Sequence, residues 1–161
     1  MNARLAALAE QLRLNTLLFG RCLEDVDDTT ARTRPNEKTN NPVFVALHLV
    51  HARCWLAQRI GIRVDDPFTH LRDVNRVEDL TDPPTLETLR DLWAEVSPAL
   101  AAKFGQLGDP DLMRPSPGTL PGVQPTLLGD LAFLLMHEAY HIGQLGLLRR
   151  YFGLGPMTYG E

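Results

Sequence analysis

Leu134-Leu135-Met136-His137-Glu138-Ala139-Tyr140-His141-Ile142-Gly143-Gln144 is the stretch on which the reading of this chain turns. Two of the chain's five histidines lie here, four residues apart in an apolar run. In a helix that spacing stacks both rings on one face, with Cβ atoms about 5–6 Å apart. Two imidazoles so placed can grip one metal ion. A single helix offers only two such ligands on a face, so a third has to come from another element.

The segment after Asn41-Pro42 supplies it. Asn is a favoured N-cap and Pro is favoured at the first helical position, so the pair predicts a helix running to about Gly61. One stripe of that helix reads Phe44, His48, His51, Trp55, and its neighbour reads Val43, Leu47, Val50, Cys54. The two histidines therefore share a direction with large apolar residues, which predicts that they face the interior. A buried imidazole without a partner is unfavourable. In the segment around His137 the matching stripe is Asp130, Leu134, His137, His141, Gln144, Leu148. Core histidines held by hydrogen bonds would explain one such residue. Four of five on two converging faces point to a metal in the interior, with His48, His137 and His141 as its ligands. Three neutral imidazoles with one position left open is the pattern of a working site rather than a structural one. His51, one turn beyond His48, reads as a catalytic proton acceptor or relay or as a group supporting the ligands, ahead of a role as fourth ligand. Asp130, Glu138 and Gln144 are candidates to orient the rings.

Around these two segments the chain reads as all-α. Apolar residues recur at helical steps at Leu5, Leu8, Leu12, Phe19, Leu23 and Val26, with Asn15 interrupting the stripe as a polar group bonded to a neighbour. A third stripe comprises Leu86, Leu89, Trp93, Val96, Leu100 and Phe104, with Thr85 as N-cap and Pro98 predicting a kink or break. Residues 62–84 form a long connection with room for a short helix, and residues 105–125 are a Gly/Pro-rich loop before Thr126 caps the last helix. Gly153-Leu154-Gly155-Pro156 ends it. The expectation is one domain over residues 1–161, a four-helix bundle with helices at about 2–28, 41–61, 85–104 and 126–152, long inter-helix loops and the metal site in the bundle interior.

Composition narrows the functional classes. The chain has 161 residues, 44% apolar and 22% charged, which is ordinary globular usage. Its 16 basic and 20 acidic residues give a net charge of −4 and form no basic stripe, so nucleic acid is a poor partner. The two cysteines, Cys22 and Cys54, fall inside predicted helices rather than in a paired framework, as in a reducing compartment. The N-terminus lacks a signal-peptide pattern and no run approaches the roughly 18–20 apolar residues of a membrane span. The expected location is the cytoplasm.

His137-Glu138-Ala139-Tyr140-His141 also satisfies H-E-x-x-H, the zinc-protease signature in which the glutamate is the general base. Its extended form needs Gly and His where Gln144 and Leu147 stand. The form with a downstream acidic ligand has only Glu161 to draw on. No strand is evident to hold a peptide, so the protease reading is set aside. Tyr140 and Tyr159 read as packing or surface groups and His70 as a surface histidine. Arg149-Arg150 reads as the complement of a helix dipole.

On Leu47-His48-Leu49-Val50-His51 and His137-Glu138-Ala139-Tyr140-His141-Ile142-Gly143-Gln144, the chain resembles the DinB-like superfamily of small metal-binding helical bundles. Helix order, the long second-to-third connection and the Pro/Gly loop before the last helix agree. The resemblance implies a divalent ion, zinc or nickel, held by His48, His137 and His141, and a homodimer. It further implies a transferase acting on a low-molecular-weight thiol such as bacillithiol, mycothiol or glutathione, or a thiol-dependent isomerase. The chain lacks the added C-terminal domain of the mycothiol-dependent isomerases, which speaks against the last. A small-molecule electrophile would enter through the loops at 62–84 or 105–125, with His51 taking the proton. A metal-dependent hydrolase using bound water, and a non-catalytic, stress-related metal-binding module, are the alternatives.

Overall fold

The computed structural model describes residues 2–116 and 120–159. Over these the chain is helical, and a single isolated bridge pairs Pro115 with Thr126. The helices are α1 (Ala6–Leu23), α2 (Asp28–Arg32), α3 (Pro42–Arg59), α4 (Leu86–Phe104), α5 (Asp109–Leu112) and α6 (Leu127–Tyr151). Three 3-10 turns, Ala3–Leu5, Thr69–Leu71 and Val77–Asp79, complete the regular structure. Among the described residues no helix is long and apolar enough to cross a membrane.

Three of the long helices start where their caps place them. The Asn41 side chain accepts from the Phe44 amide at 3.0 Å, with Pro42 in the first helical turn. Thr85 accepts from the Thr88 amide and Thr126 from the Gly129 amide, both at 3.2 Å. At the second of these starts, Gly129 is obligatory on steric grounds, because a Cβ there would overlap the Gln124 carbonyl oxygen. Gly153, at φ +83°, terminates α6 in the left-handed conformation expected after a helix.

Three expectations are corrected. The first helix does not run to residue 28. Asp25 takes a left-handed conformation at φ 60°, and Asp27 then caps a new short helix by accepting from the Thr30 amide at 2.7 Å. The Gly/Pro-rich stretch is not wholly loop, since α5 makes one turn within it. Pro98 does not break α4, which is continuous from Leu86 to Phe104. Pro98 and Ala94, four residues before it, both lie on the exposed face, where water can reach the carbonyl that proline leaves unpaired.

α1 packs against α4 and α6, and α3 packs against the same two helices, so each long helix has two long neighbours. Phe19 of α1 stacks on Trp93 of α4 with ring centroids 4.2 Å apart. The predicted stripe of α4, from Leu86 to Phe104, is buried throughout. The faces of α3 and α6 are rotated from the expected ones. The core side of α3 carries Val43, Leu47, Val50, Arg53, Cys54 and Ala57, and that of α6 carries Leu131, Leu135, Glu138, Ile142 and Leu145. Phe44, His48, His51 and Trp55 lie along the margin of α3, between the core and solvent.

Candidate metal centre

The margins of α3 and α6 face each other, and this brings the three predicted ligands together. His48 Nε2 lies 3.1 Å from His137 Nε2, and His141 Nε2 lies 3.1 Å from the same atom. Among the described residues, His48, His137 and His141 form a group whose ligand nitrogens all lie within 4.8 Å of one another. The rings are mutually tilted, with centroids 4.5–4.9 Å apart. The expected interior position is not what is observed. His48 is exposed and His137 and His141 are half-buried, so the cluster sits at the flank of the helix pair, within reach of solvent.

The arrangement fits a shared cation. Nitrogens about 2.0–2.1 Å from one tetrahedral ion are separated by about 3.3 Å, close to the spacings here. His137 Nε2 faces two other Nε2 atoms and can donate a proton to only one of them. A cation satisfies all three lone pairs at once. His141 donates from Nδ1 to Gln144 Oε1 at 2.8 Å, which leaves its Nε2 unprotonated and aimed at its neighbours. His137 Nδ1 is buried and has no hydrogen-bond partner among the described residues.

The electrostatics also favour the neutral form of His48 and His137. Although the residue as a whole is exposed, partial desolvation of the ring where it meets the cluster, then the adjacent His141, His137 and His51, push His48 down to about 4. Burial, reinforced by His141, likewise lowers His137. Neutral imidazole is the form that ligates.

His51 is beside the cluster but not in it. Its Nε2 donates to the Phe68 carbonyl at 3.0 Å and lies 3.9 Å from Asp66 Oδ2. Burial lowers its pKa, against the raising effect of Asp66. A cavity of about 330 Å³ opens between His48, His51 and His137, walled by Trp55 and Phe133.

Of the three candidate orienting groups, only Gln144 contacts a ligand. Asp130 is turned away. It accepts from Ser116 Oγ at 2.6 Å and lies 3.6 Å from Arg59 Nε, so it ties Ser116 to α6. Glu138 points into the core, away from the three ligand nitrogens, and is completely buried. Arg53 grips both of its oxygens, at 2.6 and 2.7 Å, and Asn15 Nδ2 donates to it at 3.1 Å. A glutamate so engaged cannot serve as a general base, which removes the protease reading on physical grounds. Glu161 lies outside the described residues.

Arg53 stands outside the stripes that the sequence pattern singles out. It is fully buried, donates to Thr16 and Ser97 hydroxyls and lies 3.6 Å over the Trp93 ring. A charged residue three positions after Val50 and four before Ala57 was its signal: an arginine on the core face needs a buried acid. Asn15 behaves as expected, bonded to Leu135 O and Glu138. Arg149 is buried and donates to the carbonyls of Arg21, Cys22 and Glu24, closing the C-terminal end of α1. Tyr140 sets its ring edge-on to His141 but is largely exposed, as are His70 and Tyr159. Cys22 and Cys54 are free, buried thiols, each pushed up to about 12 by burial, and take no part in the cluster.

An all-helical protein that gathers three imidazole nitrogens from two helices has the constitution of a metal-binding helical protein. The chain belongs to the DinB superfamily, whose family model matches residues 8–145, and proteins of this kind often bind metals. No curated protein matches it.

Proposed function

We propose that this protein is a metal-dependent enzyme that binds one divalent ion, zinc or nickel, through His48, His137 and His141, and acts on a small thiol. The observation that carries the reading is the meeting of three imidazole nitrogens beside an open cavity, with His48 and His141 Nε2 each 3.1 Å from His137 Nε2 and all three within 4.8 Å of one another. Three neutral donors leave the charge of a divalent ion uncompensated and at least one coordination position open. When bound, such an ion would supply the acidity that favours the nucleophilic thiolate form of a small thiol.

The chain's own residues supply the rest. Gln144 fixes the tautomer of His141. The aromatic walls of Trp55 and Phe133 exclude water from one side of the cavity. His51 is tethered to the Phe68 carbonyl through Nε2, and its Nδ1, which has no hydrogen-bond partner among the described residues, would accept the proton released there. The four long helices would form one bundle domain, with a homodimer as the assembly that the family suggests.

Zinc-loaded protein should consume thiol in the presence of a halogenated arene or an epoxide, and His141→Ala should not. The test spans glutathione, bacillithiol and mycothiol. No thiol consumption with any of them would remove the transferase reading, and turnover of an ester without thiol would put a hydrolase in its place.

A further inference from the structure

The cavity beside the three histidines has a chemistry of its own. Trp55 and Phe133 form its flat apolar walls, and Arg72 carries the one permanent charge on its lining. Trp55 is braced from outside, because the Arg59 guanidinium lies 4.4 Å over its ring and Asp130 lies 3.6 Å from Arg59. Phe133 is braced by the His137 ring, stacked at 6.1 Å with an interplanar angle of 18°. The two walls are therefore set before anything binds.

Arg72 follows the 3-10 turn Thr69–Leu71 and is 43% exposed. Its Nη2 lies 3.6 Å from Asp66 Oδ2, a carboxylate with no exposure at all. Asp66 is itself pinned, since its Oδ1 accepts from the Phe68 amide at 2.9 Å. This ion pair orients the guanidinium without using its hydrogen-bonding capacity. Among the described residues, Arg72 donates no side-chain hydrogen bond to another protein group, so its fork of N–H donors is available. Asp66 partly offsets the charge from behind, but it does not line the cavity. A guest meets the donors of Arg72 and not the carboxylate.

We propose that this cavity takes a small organic anion with a planar apolar body, its carboxylate held by Arg72 and its body between Trp55 and Phe133. The volume of about 330 Å³ suits a molecule of one ring or a short unsaturated chain. That this guest is the substrate rests on the metal reading given above, which puts the reacting end beside His48 and His137. The anion site itself does not rest on it. Arg72 thus sets specificity: Arg–carboxylate pairing rewards a charged end and leaves an uncharged analogue with walls alone.

Benzoate and its uncharged counterpart benzamide test this, titrated calorimetrically into zinc-loaded and metal-stripped protein. Benzoate should bind both forms, more tightly than benzamide. Arg72→Ala should weaken benzoate by about tenfold or more and leave benzamide unchanged. Arg72→Glu should reverse the preference, taking benzylamine over benzoate. Arg76→Ala removes the same charge from the same connection, away from the cavity lining, and should leave benzoate binding at the wild-type level. Absent benzoate binding, equal binding of benzoate and benzamide, or an Arg72→Ala variant that binds benzoate like wild type overturns the assignment. Zinc content is measured on the same samples. Zinc-binding protein without Arg72-dependent selectivity refutes the anion site alone. Selectivity without zinc uptake refutes the metal reading and upholds the site.

Discussion

His141 and His51 each commit one ring nitrogen to a hydrogen bond, and that bond decides what the other nitrogen can do. Gln144 takes the Nδ1 proton of His141 and so turns Nε2 into a ligand. Gln144→Leu should therefore weaken zinc binding by roughly 10–100-fold without unfolding the protein, as measured by competition with a chromophoric chelator. His51→Ala should leave zinc content unchanged, because its Nε2 is tied to Phe68 and not to the cluster. The depressed pKa of His48, about 4 against an ordinary 6.5, makes a further prediction for metal-free protein. Between these values the unfolded chain binds more protons than the folded one, so stability rises with pH across the window. It is complete above about pH 6.5 and declines as pH falls towards 4, and His137 acts in the same direction. Denaturant unfolding of metal-free His48→Gln across pH 4–7 should show a shallower dependence than wild type; an unchanged slope would count against this assignment.

Helix by helix, the same i, i+4 pattern that marks the ligands also conceals the core. Within His137–His141, the two histidines lie at the margin of α6 and Glu138 on its adjoining core side, and they perform unrelated tasks. Glu138 and Arg53 tie α6 to α3 through a fully buried pair, with Asn15 of α1 and Ser97 of α4 joined to it. Removing one member leaves an uncompensated buried charge, at about 3–5 kcal/mol. Glu138→Ala should show that loss in chemical denaturation while the folded fraction still binds zinc. Loss of zinc binding by folded Glu138→Ala would contradict the division of faces. The positions of the caps were legible in the sequence because Asn41, Thr85 and Thr126 act locally, through amides three residues away. The rotation of α3 and α6 was not legible. Both helices are apolar around most of their circumference, so periodicity alone leaves the phase open, and His48 was assigned to the interior when it lies at the margin. The break after Leu23 escaped because a left-handed Asp25 leaves little trace in composition.

For the molecule as a whole, the core and the histidine cluster are separable. The buried apolar cluster runs from Leu5 to Leu148 across all four long helices, whereas His48 is exposed and His137 and His141 are half-buried. Chelation should therefore leave the helical circular dichroism spectrum intact and lower Tm only by the ligand-binding contribution, which grows with free zinc concentration. A structural metal would instead take the fold with it. The sequence made the helical class and the three converging histidines readable, because ligand spacing and cap residues are local signals. It could not reveal that the site opens sideways, since that depends on how two nearly uniform apolar helices turn against each other. The most direct test of the central claim is the metal content of protein equilibrated with zinc and freed of excess ion. Wild type, His51→Ala and His70→Ala should retain about one zinc per chain, and His48→Ala, His137→Ala and His141→Ala should each lose most of it. Wild-type protein that retains no zinc, or three ligand variants that keep it in full, would contradict the account.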